Sequence, residues 1–130
     1  FRRYYVVDVL NSGQSTRFTF SGSDRAGCMI TINAVGDYGA SNTGNNHVAA
    51  QFMTRVFTNS SGDSTDSSTA ATIFAYTYAL SDYTFTNSGS DVYTIDINNP
   101  TGDSGVTFSY EVIIQSTLQG SHRLTASSTV

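Results

Sequence analysis

Few residues in this 130-residue chain are of a type that does chemistry, and their spacing decides what each can do. Gly102-Asp103-Ser104-Gly105 holds a serine in a glycine-flanked turn. Such a serine attacks an acyl carbon when a histidine takes its proton and backbone N–H groups receive the oxyanion. His47 precedes it and Asp82 or Asp91 lies between, so the order His…Asp…Ser can be drawn. Asp63-Ser64-Thr65-Asp66 and Asp96-Ile97-Asn98-Asn99 offer hard oxygens to calcium, but neither keeps an EF-hand spacing. Pro100 stands where a third oxygen ligand belongs, and Asx-turns explain these residues at less cost. Two histidines far apart and one cysteine make no zinc set. Cys28 lies in the strand pattern Gly27-Cys28-Met29-Ile30-Thr31-Ile32 and reads as a small core residue. Glycoside hydrolysis needs two carboxylates at fixed separation. Glu111 is the one glutamate, on the outward side of its strand, and nothing places two aspartates together. No phosphate loop or nucleotide fingerprint occurs. Sugar binding needs an aromatic platform with amide partners. Tyr38, Asn42, Asn45, Asn46 and His47 gather these in one polar stretch, although the chain has no Trp.

The Gly-Asp-Ser-Gly string is similar to the nucleophile loop of chymotrypsin-like serine proteases. That family's double barrel needs far more than 130 residues, however, and Val106 follows where the family has a second Gly. Between two alternating strands, such a string makes a turn. No enzymatic activity, cofactor or metal is therefore expected.

The elements that must position these residues are strands. Charged residues make up 12%, all six cations are Arg, and nine of ten acids are Asp. Ser and Thr together number 37. This mixture lacks the Lys, Glu and Leu of solvent-facing helices and is rich in strand and turn formers. It excludes helical bundles, coiled coils and Rossmann-type enzymes. A net charge of −4 with scattered arginines, Arg2-Arg3 being the one pair, argues against nucleic acid. No apolar run approaches a membrane span.

Period-2 alternation runs through the chain. Tyr5, Val7 and Val9 share one face, as do Phe18 and Phe20. Cys28, Ile30, Ile32 and Ala34 alternate with Met29, Thr31 and Asn33. Val48, Ala50, Phe52, Thr54 and Val56 follow, then Ile73 and Ala75, then Tyr83 and Phe85. Tyr93, Ile95 and Ile97 precede the cleanest run, Val106, Phe108, Tyr110, Val112 and Ile114. A weaker strand carries Leu124 and Ala126. Turn clusters separate them, with long loops at Gly36–Asn46 and Asn59–Ser68. The pattern predicts an all-β, antiparallel, jelly-roll-like β-sandwich of eight or nine strands, one domain over 1–130. Because it begins at Phe1, the chain reads as processed or as a piece of a longer polypeptide. Met53, Phe74, Tyr76 and Ile113 would face outward, and extra apolar surface of this kind marks a subunit contact.

Arg17 to Phe57 carries a resemblance. It reads Arg-Phe-Thr-Phe, a turn, then Ala-Gly-Cys-Met-Ile-Thr-Ile-Asn-Ala-Val-Gly-Asp-Tyr-Gly, a polar loop, and Val-Ala-Ala-Gln-Phe-Met-Thr-Arg-Val-Phe. With Val92–Ile97 and Val106–Ile114 as closing strands, it resembles the C-terminal β-sandwich (knob) domains of tailed-bacteriophage tail fibres and related virion proteins. The resemblance implies a homotrimeric, non-enzymatic virion component outside cells, joined to other virion proteins and able to contact a host surface glycan. A capsid decoration protein is the near variant. A monomeric secreted carbohydrate-binding module is the alternative from another class.

Overall fold

The computed structural model describes residues 1–22, 25–38, 48–61, 64–75, 83–99, 104–116 and 121–130; the side chains of 37, 38, 48 and 65–75 lie outside that description. Among the described residues there are nine strands: β1 (Arg2–Leu10), β2 (Ser15–Ser21), β3 (Ala26–Tyr38), β4 (Val48–Thr58), β5 (Ser64–Ala75), β6 (Tyr83–Gly89), β7 (Val92–Asn98), β8 (Val106–Ser116) and β9 (Arg123–Thr129). They build two antiparallel sheets, ordered β1-β8-β3-β4-β5 and β6-β7-β2-β9. The expected all-β antiparallel sandwich is the observed fold. The β1–β2 unit, split between the sheets, pairs with the β7–β8 unit, while β3, β4 and β5 form a meander.

Turn chemistry follows the residues. Ser90 and Asp91 join β6 to β7 with φ of 52° and 65°, both left-handed, as a tight two-residue hairpin requires. At the β1–β2 turn Gly13 takes φ +78°, and Gln14 N–H donates to the Asn11 carbonyl at 3.1 Å.

The core lies between the inner faces. Phe18 and Phe20 of β2 and Tyr93, Ile95 and Ile97 of β7 meet Ile30, Ile32, Phe52, Phe108, Val112 and Ile114. Phe20 stacks on Tyr93 at 5.2 Å, and Phe18 meets Tyr110 edge-on at 5.0 Å. Packing is tight at Gly36, where an added Cβ would lie 2.6 Å from the Phe108 ring.

Two expectations need correction. Tyr5, Val7 and Val9 do share a face, but it is the solvent face. Tyr4 and Val6 pack against the core instead, and Leu10 is buried. Both faces of this strand are apolar, so alternation alone does not choose; pairing with β8, Tyr4 opposite Val112 and Leu10 opposite Val106, does. The inward Asp8 is accommodated because Thr16 Oγ1 and Thr129 Oγ1 each donate to its carboxylate at 2.7 Å. The second correction is the predicted loop at 59–68. β5 starts at Ser64, opposite Thr58, and keeps register with β4 through Ser68. Its Ser/Thr-rich stretch reads as turn by composition, yet it pairs as an edge strand.

We predict that Gly36→Ala lowers stability by about 1–3 kcal/mol through overpacking. Adding Phe108→Leu should recover part of that loss. Urea midpoints of the single and double variants check this.

Candidate functional site

Alternation puts Arg3, Tyr5, Val7 and Val9 of β1 on the outer face of the five-stranded sheet. Beside them stand Met29, Thr31, Asn33 and Val35 of β3, Gln51, Met53, Arg55 and Phe57 of β4, and Glu111 and Ile113 of β8. Among the described residues, nine large hydrophobics are exposed: Phe1, Tyr5, Val7, Val9, Met29, Val35, Met53, Phe57 and Val130. All but the two terminal residues lie on this face. Tyr5 is 72% and Val7 69% exposed. The outer face of the other sheet differs in kind. It shows Thr19, Thr84, Thr86 and Thr94, and Arg17 forks onto Asp96 through bonds of 2.9 and 2.8 Å.

One polar row crosses the apolar face. Gln51 Nε2 donates to Asn33 Oδ1 at 2.9 Å, and Asn33 Nδ2 donates to Glu111 Oε1 at 3.2 Å. Glu111 Oε2 then lies 3.6 Å from Arg3 Nε, and the Arg3 guanidinium sits over the Phe1 ring at 5.4 Å.

Of the expected contact residues, the structure places Met53 and Ile113 together on this face. They are separated in one transverse row by Thr31. Phe74 occupies the β5 position opposite Ala49, its side chain outside the described set, and Tyr76 lies outside the described residues. Of the expected sugar-binding residues, Tyr38 ends β3 opposite Val106, while Asn42, Asn45, Asn46 and His47 lie outside the described residues. Sequence reasoning missed Tyr5, Val7, Val9, Met29, Val35 and Phe57 as contact residues. For Val35 and Phe57 the signal was present, since each opposes clear core positions.

The remaining chemical candidates resolve locally. Ser104 is exposed on the bend before β8, and the Gly105 N–H donates to Asn11 Oδ1 at 3.1 Å. His47, Asp82, Gly102 and Asp103 lie outside the described residues. In the calcium candidates, Ser64 is buried and shares a 3.1 Å hydrogen bond with Thr58, and Ile97 enters the core while Asp96 faces Arg17. Asp96 and Asn98 share a face, but each already has a partner there, Arg17 for Asp96 and the Ser15 hydroxyl for Asn98. Among the described residues no group of three metal-ligating side chains gathers. A cavity of about 410 Å³ at the end of β3, β4 and β8 is lined by Cys28, Met29, Arg55, Val56, Gln115 and Ser116. With one cation and no carboxylate among them, this lining holds no acid–base pair.

Cys28 is a core residue, as expected. Burial pushes its thiol up to about 11, opposed by its contact with Tyr93, so it is protonated and a poor nucleophile. It starts a buried chain: Cys28 Sγ lies 3.8 Å from Tyr93 Oη, which lies 2.9 Å from His122 Nδ1. His122 Nε2 lies 3.2 Å from the Ala26 carbonyl. A carbonyl only accepts, so Nε2 carries the proton and Nδ1 accepts from Tyr93. Burial lowers the His122 pKa, opposed by its Ala26 bond and by Asp91.

No family model and no curated protein matches the chain. Solved structures do. The Acinetobacter phage vB_ApiP_P1 tailspike protein is similar over 95% of this chain and 22% of its own, with TM-score 0.51 and 16% identity. Pantoea stewartii WceF, a glycan biofilm modifying enzyme with a bacteriophage tailspike-like parallel beta-helix fold, is similar over 93% of this chain and 19% of its own, with TM-score 0.50 and 13% identity. The tailspike gp49 of Acinetobacter baumannii bacteriophage Fri1, a capsular polysaccharide depolymerase, gives TM-score 0.49 at 17% identity over 95% of this chain and 19% of its own. The chain thus spans about a fifth of the length of each, and at these identities the likeness to the first two is one of fold.

His122 sets a pH expectation. Its folded pKa lies below the ordinary 6.5, so the unfolded chain binds a proton first as pH falls. The stability this contributes is full above 6.5 and declines as pH falls from there toward the lower folded value. We expect the urea midpoint to drop between pH 7.5 and 5.5, and the drop to shrink in His122→Gln. An equal drop in both would contradict it.

Proposed function

We propose that this chain is a β-sandwich module of a tailed-phage appendage, a tail fibre or tailspike, that assembles as a homotrimer through the outer face of its five-stranded sheet. The module belongs to an extracellular particle as the knob-like part of a longer appendage, and it supplies contact rather than catalysis. Host surface glycans are the target such an appendage would meet. The observation that carries the reading is the gathering of seven exposed large hydrophobics on one sheet face. Exposed apolar patches of this size mark contacts. Five strands of nine to thirteen residues present a face on the order of 700 Å², from a strand spacing of ~4.8 Å and a rise of ~3.3 Å per residue. That is near the ~800 Å² each partner gives to a standard interface. The fold shared with part of the vB_ApiP_P1 tailspike supports the choice of phage appendage.

Light scattering tests it. The wild-type chain is expected at three times its 13.9 kDa mass across a range of concentration. Val7→Asp combined with Met53→Asp should give a folded monomer with an unchanged circular dichroism spectrum. A wild-type monomer at all concentrations would overturn the trimer.

A further inference from the structure

His122 leads directly into β9, and it is fully buried. Its ring is held on three sides. Tyr93 of β7 donates to Nδ1 at 2.9 Å, and Nε2 donates to the Ala26 carbonyl at 3.2 Å. The Gly22 backbone closes on Cε1, where an added Cβ would lie 2.7 Å away. The Gly22 N–H donates in turn to the Asp91 carbonyl at 2.7 Å. Past this anchor β9 buries little. It is an edge strand, paired with β2 among the described strands. Of its seven residues Leu124 packs on the core and the other six are exposed. Its far end is tied by Thr129 to Asp8 and by Val130 to Ser15.

We propose that His122 is an acid-sensitive latch on β9: protonation of Nδ1 releases the last strand while the rest of the sandwich stays folded. Nδ1 accepts the Tyr93 hydrogen only while it has no proton of its own. Once protonated it is a donor, and the Tyr93 hydroxyl must turn its hydrogen toward the Cys28 sulfur, a weak acceptor 3.8 Å away. The new charge is also buried. Of the ionisable groups facing the ring, burial keeps Cys28 and Tyr93 protonated, so Asp91 supplies the negative charge that opposes the penalty. Thr58 and Ser64, from β4 and β5, bond to each other and carry no charge. Arg25 and Arg123 are exposed. Below the ordinary 6.5 of a free histidine, the released segment takes up a proton that the latched one resists, so falling pH favours release. Opening stays local because β9 withdraws one core side chain together with His122, whereas β3 and β8 lie inside the other sheet. Release bares the edge of β2, whose backbone groups can then pair with an extended strand. Because β9 belongs to the four-stranded sheet, the latch does not depend on the trimer reading.

Amide hydrogen exchange of the full chain tests this, read by peptide mass spectrometry at pH 7.5 and 5.5 and corrected for the intrinsic pH dependence of exchange. One unit below its pKa a free histidine is about tenfold more protonated than neutral. Protection of residues 123–130 should therefore fall by up to about tenfold at pH 5.5, while that of β3 and β8 holds. His122→Gln keeps an acceptor and a donor but does not titrate, so its β9 protection should be equal at both pH values once corrected. Asp91→Asn removes the compensating charge at a left-handed position that Asn tolerates, and it should deepen the acid loss. The latch is overturned if β9 stays protected at pH 5.5, if β3 and β8 lose protection with it, or if His122→Gln keeps the wild-type loss. Should His122→Gln not fold, Asp91→Asn decides: an acid loss no larger than that of wild type overturns the latch.

Discussion

A strand has two faces, and the five-stranded sheet carries large apolar residues on both. Its inner face, from Ile30 and Ile32 through Phe52 to Phe108 and Ile114, is covered by the four-stranded sheet and is almost fully buried. Its outer face carries Tyr5, Val7, Val9, Met29, Val35, Met53 and Phe57 with no second cover among the described residues. A single sandwich satisfies one face of each sheet. The other sheet needs nothing more, since threonines and the Arg17–Asp96 pair face its solvent side. The asymmetry between the two outer faces organises the functional account.

Two hydrogen-bonded networks join polar groups across the sandwich. At one edge Tyr110 donates to Thr16, and Thr16 and Thr129 donate to Asp8, so β8, β2, β9 and β1 are tied across the two sheets. At another place the Cys28–Tyr93–His122 chain ties β3 and β7 to the residue that leads into β9. Each group answers its own burial with a hydrogen bond, which makes these networks stabilising only while complete. A cysteine and a histidine that could signal catalysis are here held neutral by the core. Their chemistry is given up to position the last strand.

The fold was legible where one face of a strand is polar. Ile30 and Ile32 against Thr31 and Asn33, and Phe108 to Ile114 against Thr107 to Ile113, fix the inner face from spacing alone. It was not legible in β1, where Tyr4 and Val6 are as apolar as Tyr5 and Val7 and the choice belongs to pairing with β8. Nor was it in β5, whose serines and threonines look like turn. Part of the contact face was legible as well: Met53 and Ile113 oppose core residues in clear strands. Its β1 contribution depended on the same unresolved choice. The His122 network left no local trace, because its partner Tyr93 is 29 residues away in sequence. The polar row likewise joins Glu111, Asn33 and Gln51 of three strands that only the register brings level, with Arg3 reaching Glu111 from the next row.

The central claim is that the outer face of the five-stranded sheet is covered when the protein is assembled. The chain has two methionines, Met29 and Met53, and both lie on that face, 39% and 40% exposed in the single chain. Oxidation by hydrogen peroxide, followed by peptide mass spectrometry, reads their accessibility directly. The account predicts that Met29 in the purified wild-type protein oxidises far more slowly than in the Val7→Asp/Met53→Asp monomer, and that both methionines of the wild type oxidise far more slowly than in the urea-unfolded chain. Oxidation of Met29 at the same rate in wild type and monomer would contradict it.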